Sequence, residues 1–454
     1  MKYSQFNAII PHENQFALFN SFNQKVILLL PELKELLNAA ITEGIDNLKN
    51  YHPSFFNYLC REEFIIENSI DEIEKVRTLS LEVDNNESSF ILTINPTMNC
   101  NFNCWYCYES HIKESKMNLN AIDRVKKLID KISLNPKIKT FSISFFGGEP
   151  LLYFDKSIIP LINYFLEKCQ KTHIQPEIGF TSNGYLISHE FIKYFDDKAH
   201  KCSLQITLDG SEEDHNEVRF VNKQKGSYSK IVENIKLLVE NSFYVSVRIN
   251  YTDKNITNAH KIINDFIGLS EETKNKYILF DFHRVWQNER ESDIDKVLYD
   301  TINSFRHAGF KVSQQSPNNV INSCYADKRN SVVVNYNGDI YKCTARDFTK
   351  ASREGYLNED GCLVWENNGL EKRMNIKFKN KPCLSCKIMP LCNGGCSQAA
   401  IEAGDNDYCV HYGDENEKDK IIKYKIEEIL RTHYTQKLAD ITTGVHSFEK
   451  TNIV

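Results

Sequence analysis

Apolar and polar positions along the chain predict alternating strands and helices from about residue 89 to residue 315. Short apolar runs rich in β-branched residues recur near Phe90, Thr140, Ile178, Ser203, Val245 and Ile278. Between these runs, apolar residues spaced three and four positions apart predict amphipathic helices, as at Ile122, Val125, Ile129 and Ile132. Six such units imply parallel strands buried on both faces, which fit either a barrel or an open doubly wound sheet.

The first 88 residues follow a different pattern. Two apolar runs flank His12-Glu13-Asn14, which predicts a β-hairpin. Pro31 is expected to begin a helix with one apolar stripe, and a second helix is expected near Ser54. The spacing of Ser69 and Glu72 predicts a capping box at the start of a third helix. This region is therefore expected to be a small α+β domain.

Composition narrows the classes of protein to consider. The 454 residues suggest two to four domains, and the net charge of -6 gives no overall reason to expect a nucleic-acid partner. The chain shows neither the apolar core of a signal peptide nor an apolar run of about 20 residues, so we expect a cytoplasmic protein with no membrane partner. Because the cytosol keeps thiols reduced, 14 cysteines point to metal ligation rather than disulfides.

Three of these cysteines lie together after the first strand of the alternating region. Cys100, Cys104 and Cys107 have the spacing C-x3-C-x2-C, and the aromatic Tyr106 precedes the third. An iron–sulfur cube or a structural zinc ion usually takes four protein ligands, so a loop with three thiolates leaves one metal position free. The alternatives for this stretch alone are an isolated three-cysteine metal loop and unpaired buried cysteines.

This loop resembles the signature of the radical SAM enzymes. In that family three thiolates hold a [4Fe-4S] cluster, and the fourth iron binds the amino and carboxylate groups of S-adenosylmethionine. The resemblance implies reductive cleavage of the sulfonium, which releases methionine and a 5′-deoxyadenosyl radical that takes a hydrogen atom from the substrate. It also favours a partial (β/α)6 barrel over an open sheet. In parallel α/β folds the ligand site lies at the carboxyl ends of the strands.

Further segments after predicted strands resemble the same family. Gly147-Gly148-Glu149-Pro150 is similar to the element that hydrogen-bonds the amino group of S-adenosylmethionine. Thr181-Ser182-Asn183 supplies hydroxyl and amide groups that would bind a ribose or close a turn. Thr207 and Arg219 stand in a stretch similar to S-x-D-G-x4-H-D-x2-R, whose hydroxyl residue and arginine approach the methionyl carboxylate and ribose. Thr207 replaces serine and Asn216 replaces aspartate, but the hydroxyl and the arginine fork are kept, so binding is expected.

The candidates for a catalytic side chain are weaker. His215 lies in the same stretch, where a structural hydrogen-bond donor is the alternative to a proton carrier. Arg248 and Asn250 end the fifth strand and would face the site or form a pair at its rim. The family's sulfatase-maturing members carry an aspartate base directly after a C-terminal cysteine, but here that position is Thr344, which cannot abstract a proton near neutral pH. Asp347 is the nearby substitute, with a salt-bridge partner as the alternative.

Seven more cysteines lie near the C-terminus: Cys324, Cys343, Cys383, Cys386, Cys392, Cys396 and Cys409. Asn337-Gly338, between two β-branched runs, predicts a hairpin in a small antiparallel sheet between Cys324 and Cys343. The four close cysteines that begin at Cys383 would by themselves suit a zinc ion. Seven cysteines, however, do not divide into closed zinc sites.

This array resembles the SPASM domain of radical SAM enzymes that act on peptides and proteins. The resemblance implies one auxiliary [4Fe-4S] cluster on Cys383, Cys386, Cys392 and Cys409. It implies a second on Cys324, Cys343 and Cys396, for which the sequence supplies no evident fourth cysteine. With the cluster at the first loop, three [4Fe-4S] clusters are expected. The remaining cysteines, Cys60, Cys169, Cys202 and Cys362, are expected to be small buried side chains.

Together these patterns predict an α/β chain in four regions. They are a winged-helix-like N-terminal domain at 1–88, a partial (β/α)6 radical SAM barrel at 89–315, a SPASM domain at 316–413, and a helix with a disordered tail at 414–454. The N-terminal layout resembles domains that recognise leader peptides; a structural cap over the barrel is the alternative.

The expected activity is the modification of a ribosomal precursor peptide. The resemblance implies S-adenosylmethionine as cofactor, a reductant protein such as flavodoxin or ferredoxin, and a thioether or carbon–carbon cross-link as product. One alternative is a sulfatase-type maturase that forms formylglycine. The other is a non-catalytic zinc or electron-transfer protein.

Overall fold

The chain divides into two compact units in the computed structural model. The model describes residues 1–222, 225–288, 294–314, 316–317 and 319–443. One unit combines 1–85, 316–328 and 371–454, and the other combines 86–315 and 329–370. The division into four regions stays a prediction. Among the described residues, no helix is both long enough and apolar enough to cross a membrane.

The N-terminal part of the first unit is a small α+β structure. Its strands are β1 (Lys2–Tyr3), β2 (Asn7–His12), β3 (Gln15–Asn20), β4 (Val26–Leu29) and β5 (Ile65–Ile66). Its helices are α1 (Pro31–Glu43), α2 (Leu48–Tyr51), α3 (Pro53–Arg61) and α4 (Glu72–Asp84). Strands β2, β3 and β4 form an antiparallel sheet in that order. The predicted hairpin, the start of α1 at Pro31 and the helix near Ser54 are confirmed.

The third helix is confirmed, but its predicted cap is wrong. Asp71, not Ser69, is the N-cap of α4, and its carboxylate accepts a hydrogen bond from the Glu74 amide at 3.0 Å. Ser69 instead donates its hydroxyl proton to Glu67. Asp71 is the N-cap because it directly precedes the first helical residue, where a carboxylate also interacts favourably with the helix dipole.

The two faces of β3 belong to two different hydrophobic cores. Leu18 packs with residues of α1 and α3, including Leu37 and Phe55. Ala17 and Phe19, which point the other way, pack with residues from the C-terminal part of the same unit. Since side chains alternate between the faces of a strand, the N-terminal sheet is covered on both sides.

The second unit contains one large sheet and a separate two-stranded sheet. Its strands are β6 (Ser89–Asn95), β7 (Thr140–Phe145), β8 (Gln175–Ser182), β9 (Ser203–Leu208), β10 (Phe220–Asn222), β11 (Lys225–Gly226), β12 (Tyr244–Tyr251), β13 (Ile278–Arg284), β14 (Lys311–Gln314), β15 (Ser331–Asn335), β16 (Asp339–Tyr341), β17 (Gly355–Leu357) and β18 (Leu363–Trp365). The helices are α5 (Leu119–Ser133), α6 (Ile159–Thr172), α7 (His189–Asp197), α8 (Glu212–Val218), α9 (Tyr228–Glu240), α10 (Ile263–Phe266), α11 (Glu271–Lys276) and α12 (Asp295–His307).

Eleven strands of the described residues pair in the order β14-β13-β12-β9-β8-β7-β6-β15-β16-β17-β18. From β14 to β15 every pairing is parallel, and the last three strands are antiparallel. All six strands predicted from apolar runs are present. The hairpin at Asn337-Gly338 is also confirmed, but it is not part of a separate small sheet, because β15 pairs with β6. The five residues of β15 are all buried, which suits a position inside a parallel sheet.

Side chains on the two faces of this sheet differ in polarity. On β13, Phe280 lies against helix residues, with ring centroids 4.8 Å from Phe305 and 5.5 Å from Phe266. On the opposite face of β9 and β12, Thr207 and Asn250 line a cavity. The helices therefore cover the apolar face, and the polar face is left for a ligand.

The C-terminal part of the first unit is mostly helical. Its helices are α13 (Gly369–Met374), α14 (Met389–Cys392), α15 (Ser397–Ala403) and α16 (Glu415–Thr443). Helix α16 contains the predicted helix from Ile421 to Leu430, and Ile422 and Ile426 complete the core that includes Ala17 and Phe19. Of the tail expected from Thr442 to Val454, the first two residues end α16, and residues 444–454 lie outside the described part.

Candidate active site

A cavity of about 160 Å³ lies at the carboxyl ends of the parallel strands. The loop after β6 brings all three of its cysteines to the wall: Cys100 and Cys104 are half-buried and Cys107 is exposed. The Phe102 amide donates to Cys100 Sγ at 3.4 Å, and the Cys107 amide donates to the Cys104 carbonyl at 3.0 Å. The structure thus brings together the three thiols that the sequence assigns to one cluster.

Burial in the protein disfavours the thiolate form of these three cysteines. Burial raises the pKa of Cys100 to about 12 and that of Cys107 to about 11, and it also raises the pKa of Cys104. Metals bind the thiolate, so a cation must replace the proton for these side chains to act as ligands. The positive charge of the nearby Arg219 cannot take the place of a metal cation, because it lowers the pKa of Cys104 but does not outweigh the effect of burial.

The arrangement of the thiols fits a cluster better than one ion. In the described part of the chain, no three His, Cys, Asp or Glu side chains converge as a single metal ion requires. Zinc–sulfur bonds of about 2.3 Å would hold the sulfurs of one zinc site within about 4 Å of each other. Three thiols that line one cavity suit a cubic cluster, in which each thiolate binds a different iron atom.

Gly147 and Gly148 lie on the same cavity wall and pack against the chain that leads into the cysteine loop. The Glu149 amide donates to the Asn99 carbonyl at 2.8 Å. A Cβ atom on Gly147 would lie 2.5 Å from the Thr97 carbonyl oxygen, and one on Gly148 would collide with that of Asn99. Gly147 also has a φ of 95°, which other residues rarely adopt. Only glycine allows this close approach of two backbones.

Glu149 points away from the cavity and into the protein. Its carboxylate accepts hydrogen bonds from the Leu151 amide at 3.0 Å, the Ser182 hydroxyl at 2.9 Å and the Asn183 amide at 2.8 Å. The side chain therefore braces the loop after β7 against the end of β8. Ser182 and Asn183 line the cavity, as does Thr181. Direct binding of a cofactor by Glu149 stays a prediction.

Burial raises the pKa of Glu149 to about 7, although hydrogen bonds from the Asn183 and Leu151 amides oppose the shift. Between pH 4.5 and 7 the folded protein then binds more protons than the unfolded chain, so the contribution of Glu149 to the free energy of unfolding falls as pH rises. We expect wild type, relative to Glu149→Gln, to lose roughly 3 kcal/mol across this interval. Urea denaturation of the apoprotein at several pH values measures this difference. The exposed Glu240→Gln variant is the control and should track wild type at every pH.

A buried polar network lies on the other side of the cysteine loop. Arg219 Nε donates to Asp209 Oδ2 at 2.5 Å, and its Nη2 donates to the Tyr106 hydroxyl at 2.7 Å. The Tyr106 hydroxyl in turn donates to Asp209 Oδ1, and it accepts a hydrogen bond from Asn250 Nδ2 at 3.0 Å. Asp209 is the partner that the sequence analysis missed, although it stands in the segment that was singled out. Arg219 therefore positions Tyr106 within the cysteine loop, and both residues line the cavity with Thr207.

The two catalytic candidates lie away from the described cavity wall. His215 is fully buried; its Nδ1 accepts from the Asp209 amide at 3.3 Å and its Nε2 pairs with Ser227 Oγ at 3.0 Å. Burial and the charge of Arg219 lower its pKa well below the usual value, which suits a neutral structural imidazole. Asp347 accepts two hydrogen bonds from Ser110, from the amide at 2.8 Å and the hydroxyl at 2.5 Å. In this structure it ties the segment after β16 to the cysteine loop.

Several residues of the cavity wall were not predicted. Gln205 faces the cavity because it lies two positions before Thr207 on β9, and alternation along the strand would have found it. Glu109 lines the wall, and burial together with the charge of Asp347 raises its pKa to about 8. Trp286 follows β13 and remains 65% exposed at the cavity. The rule that residues after parallel strands meet at one site would have included it.

The C-terminal cysteines form a second group in the first unit. Cys383, Cys386, Cys392 and Cys409 line one small cavity, and Asn380 Nδ2 donates to Cys383 Sγ at 3.4 Å. Burial, followed by the charges of the other three cysteines, raises the pKa of Cys392 to about 12. Four thiols that face one space fit the auxiliary cluster expected there. Of the other three, Cys324 and Cys396 belong to the first unit and Cys343 to the second, and their assignment to one cluster stays a prediction.

Comparison with known proteins decides the family. The Radical SAM superfamily pattern matches residues 94–261, which contain the cysteine loop, Gly147-Gly148 and the Asp209–Arg219 network. Residues 94–261 form a radical SAM domain. Most residues of the described cavity wall lie within this match, and the family implies a [4Fe-4S] cluster and S-adenosylmethionine.

Two curated relatives extend the comparison. The radical SAM cyclopropyl synthase TigE of Paramaledivibacter caminithermalis is 25% identical over 267 residues, which are 53% of this chain and 54% of TigE. A cysteine-type anaerobic sulfatase-maturating enzyme of Clostridium novyi is 30% identical over 158 residues, which are 33% of this chain and 40% of that enzyme. The chain spans about half the length of the curated relatives it matches.

Solved structures show the same fold over more of the chain. Streptococcus suis SuiB bound to S-adenosylmethionine aligns with a TM-score of 0.51 at 17% identity, covering 91% of this chain and 99% of SuiB. SuiB bound to the precursor peptide SuiA aligns with a TM-score of 0.50 at 16% identity, covering 88% and 96%. The chain therefore shares with these structures an α/β fold built on a large parallel sheet.

Proposed function

We propose that this radical SAM protein modifies a ribosomally made precursor peptide and forms a thioether or carbon–carbon cross-link. The observation that carries the proposal is the cavity at the strand ends, where three thiols, two glycines and a buried arginine network face one space. Its similarity to radical SAM maturases supports the same class of reaction.

Cys100, Cys104 and Cys107 would hold the cluster, and the wall formed by Gly147, Gly148 and the end of β8 would hold S-adenosylmethionine. When bound, the cluster and cofactor supply a one-electron cleavage that yields an alkyl radical able to take hydrogen from carbon. The chain's own residues would bind and orient the cluster and the cofactor. The loop after β7 is braced by Glu149, and the cysteine loop is held by Tyr106.

The rim of the cavity offers a contact for the peptide. Trp286 lies on a turn whose ends are fixed, because the Val285 amide donates to the Tyr251 carbonyl at 2.9 Å and Gln287 Nε2 donates to the Tyr106 carbonyl at 2.5 Å. An exposed indole on a fixed turn can contact an apolar or aromatic peptide side chain with little loss of entropy. The SuiB structure with a precursor peptide supports a peptide as substrate class.

The N-terminal sheet is proposed to bind the leader of this peptide. Both faces of the sheet are covered within the first unit, so an extended leader would pair along the outer backbone edge of β4. Deleting residues 1–88 is a poor test of this role, since it would also remove the core partners of Ile422 and Ile426. Binding of the leader peptide to the intact protein, measured by isothermal titration calorimetry, tests this role without disturbing that core, and no detectable binding would contradict it.

Mass spectrometry of the peptide encoded beside this protein tests the proposed function. The anaerobically reconstituted enzyme is incubated with the peptide, S-adenosylmethionine and either dithionite or a flavodoxin or ferredoxin. A cross-link removes two hydrogen atoms from the peptide and leaves its sulfur in place. A peptide of unchanged mass, under conditions in which S-adenosylmethionine is cleaved, would contradict the proposal.

The second candidate function is sulfatase maturation, favoured by the 30% identity with the Clostridium novyi enzyme. Thr344 stands where the sulfatase-maturing pattern expects an aspartate, and the nearby Asp347 is already held by Ser110. Incubation with a sulfatase-derived peptide distinguishes the two functions. Formation of an aldehyde there, with no change in the neighbouring precursor peptide, would favour the second candidate.

A further inference from the structure

One lysine shares the cavity of the four C-terminal cysteines. Lys418, in the first turn of α16, lines this cavity and is only 7% exposed. Lysine is rarely buried without a partner, and the partner here is Glu415, whose Oε1 lies 2.6 Å from Lys418 Nζ. Glu415 itself is 63% exposed. A buried cation therefore lies beside the thiols, and the carboxylate that balances it faces solvent.

The apolar face of α16 fixes where this lysine lies. Ile422 and Ile426 follow Lys418 at intervals of four residues, so the three side chains share one face of the helix. Both isoleucines are buried in the core with Ala17 and Phe19. Packing of that face against the N-terminal sheet thus directs Lys418 to the same side of the helix.

Ion pairs hold the same turn from the cysteine side. Lys387, which directly follows Cys386, lies 2.6 Å from Asp419 Oδ1 and 3.1 Å from Glu415 Oε2. The first turn of α16 is therefore attached to the loop that carries Cys386. Lys418 cannot leave the cavity without breaking this attachment or the apolar packing.

We propose that Lys418 is a positioning residue that raises the reduction potential of an iron–sulfur cluster held by Cys383, Cys386, Cys392 and Cys409. The inference rests on the proposed cluster at these cysteines. Reduction adds one negative charge to a cluster, and a buried cation stabilises that charge, since the potential of a cluster depends on the charges and hydrogen bonds around it. Glu415 opposes the effect from the solvent side, where its charge is more strongly screened.

An EPR-monitored redox titration of the full-length holoprotein at pH 8 tests this role. The background carries Cys100→Ala, Cys104→Ala and Cys107→Ala, so that only C-terminal clusters give a signal. We expect Lys418→Met to shift the reduction equilibrium of one cluster about tenfold toward the oxidised form, or about 59 mV for one electron. Glu415→Gln should shift it in the opposite direction, and Lys418→Arg should restore the wild-type value.

Lys423→Met, on the exposed side of the same helix, is the matched control and should leave the potential unchanged. Iron content is measured for every variant. Unchanged potentials in both Lys418→Met and Glu415→Gln, with full iron content, would overturn the inference. If Lys418→Met loses iron, Glu415→Gln alone decides: a positive shift supports the charge effect and no shift overturns it. A shifted potential in this background, together with a wild-type protein that leaves the precursor peptide unmodified, would refute the proposed function and not this inference.

Discussion

Cys104→Ala is expected to remove about four iron atoms per chain from a protein that otherwise binds about twelve in three cubic clusters. Cys104 and its two neighbours face one cavity, and two thiolates are a poor anchor for a cluster that already has one iron without a protein ligand. Loss of this cluster should also abolish cleavage of S-adenosylmethionine. Iron analysis and EPR spectroscopy of the anaerobically reconstituted protein measure the loss.

Cys202→Ala is the matched control for this change. Cys202 is a buried free thiol just before β9 and is not on the described cavity wall. Its replacement should leave iron content and the EPR signal at wild-type values. Equal iron content in Cys104→Ala and Cys202→Ala would contradict the assignment of Cys104 as a ligand, and zinc without iron in the wild type would contradict all three clusters.

Lys377→Ala is expected to destabilise the first unit by about 3–5 kcal/mol. Lys377 Nζ lies 2.8 Å from Asp84 Oδ2 and 2.7 Å from Asp327 Oδ2, and all three side chains are at most 7% exposed. Burial alone would lower the pKa of Lys377, but Asp327 and Asp84 outweigh it and raise the pKa. Removing the lysine leaves two like charges buried together. The midpoint of urea denaturation reports the change.

A variant series separates this charge effect from lost packing. Lys377→Met keeps most of the side-chain volume and should be nearly as damaging as alanine. Adding Asp84→Asn and Asp327→Asn to Lys377→Met removes the unpaired charges and should recover most of the stability. Lys379→Ala, at an exposed site two residues away, should cost less than about 0.5 kcal/mol. A Lys377→Ala protein as stable as Lys379→Ala would refute the proposed role of the ion pairs.

Local patterns were sufficient to predict many elements of the fold. Six of the eight parallel strands in the described part of the chain were predicted from short apolar runs with turn signals between them. Pro31 and Asn337-Gly338 mark a helix start and a hairpin by their own chemistry. Two kinds of feature could not be predicted: which of two neighbouring residues takes a role, and which distant residues pair. Ser69 and Asp71 both offer a capping group, and only the structure shows which one meets the helix.

Pairings that depend on distant residues were not predictable. The pairing of β15 with β6 joins Ser331 to Ile91, and nothing near either residue encodes the partner. The same limit applies to the candidate site. The role of Glu149 in binding a ligand stays a prediction, but its carboxylate accepts hydrogen bonds from Ser182 and Asn183, more than 30 residues away, and no local pattern identifies these partners. Cys100, Cys104 and Cys107 line one cavity, as their close spacing in the sequence predicts, and their role as ligands stays a prediction.

Production of 5′-deoxyadenosine is the most direct test of the central claim, that Cys100, Cys104 and Cys107 hold a cluster which cleaves S-adenosylmethionine. Reconstituted wild-type protein and Cys104→Ala are incubated anaerobically with S-adenosylmethionine and dithionite, and the nucleoside is quantified by mass spectrometry. The account predicts 5′-deoxyadenosine from wild type and none above background from Cys104→Ala. Absence of the nucleoside in both, or equal amounts in both, would contradict it.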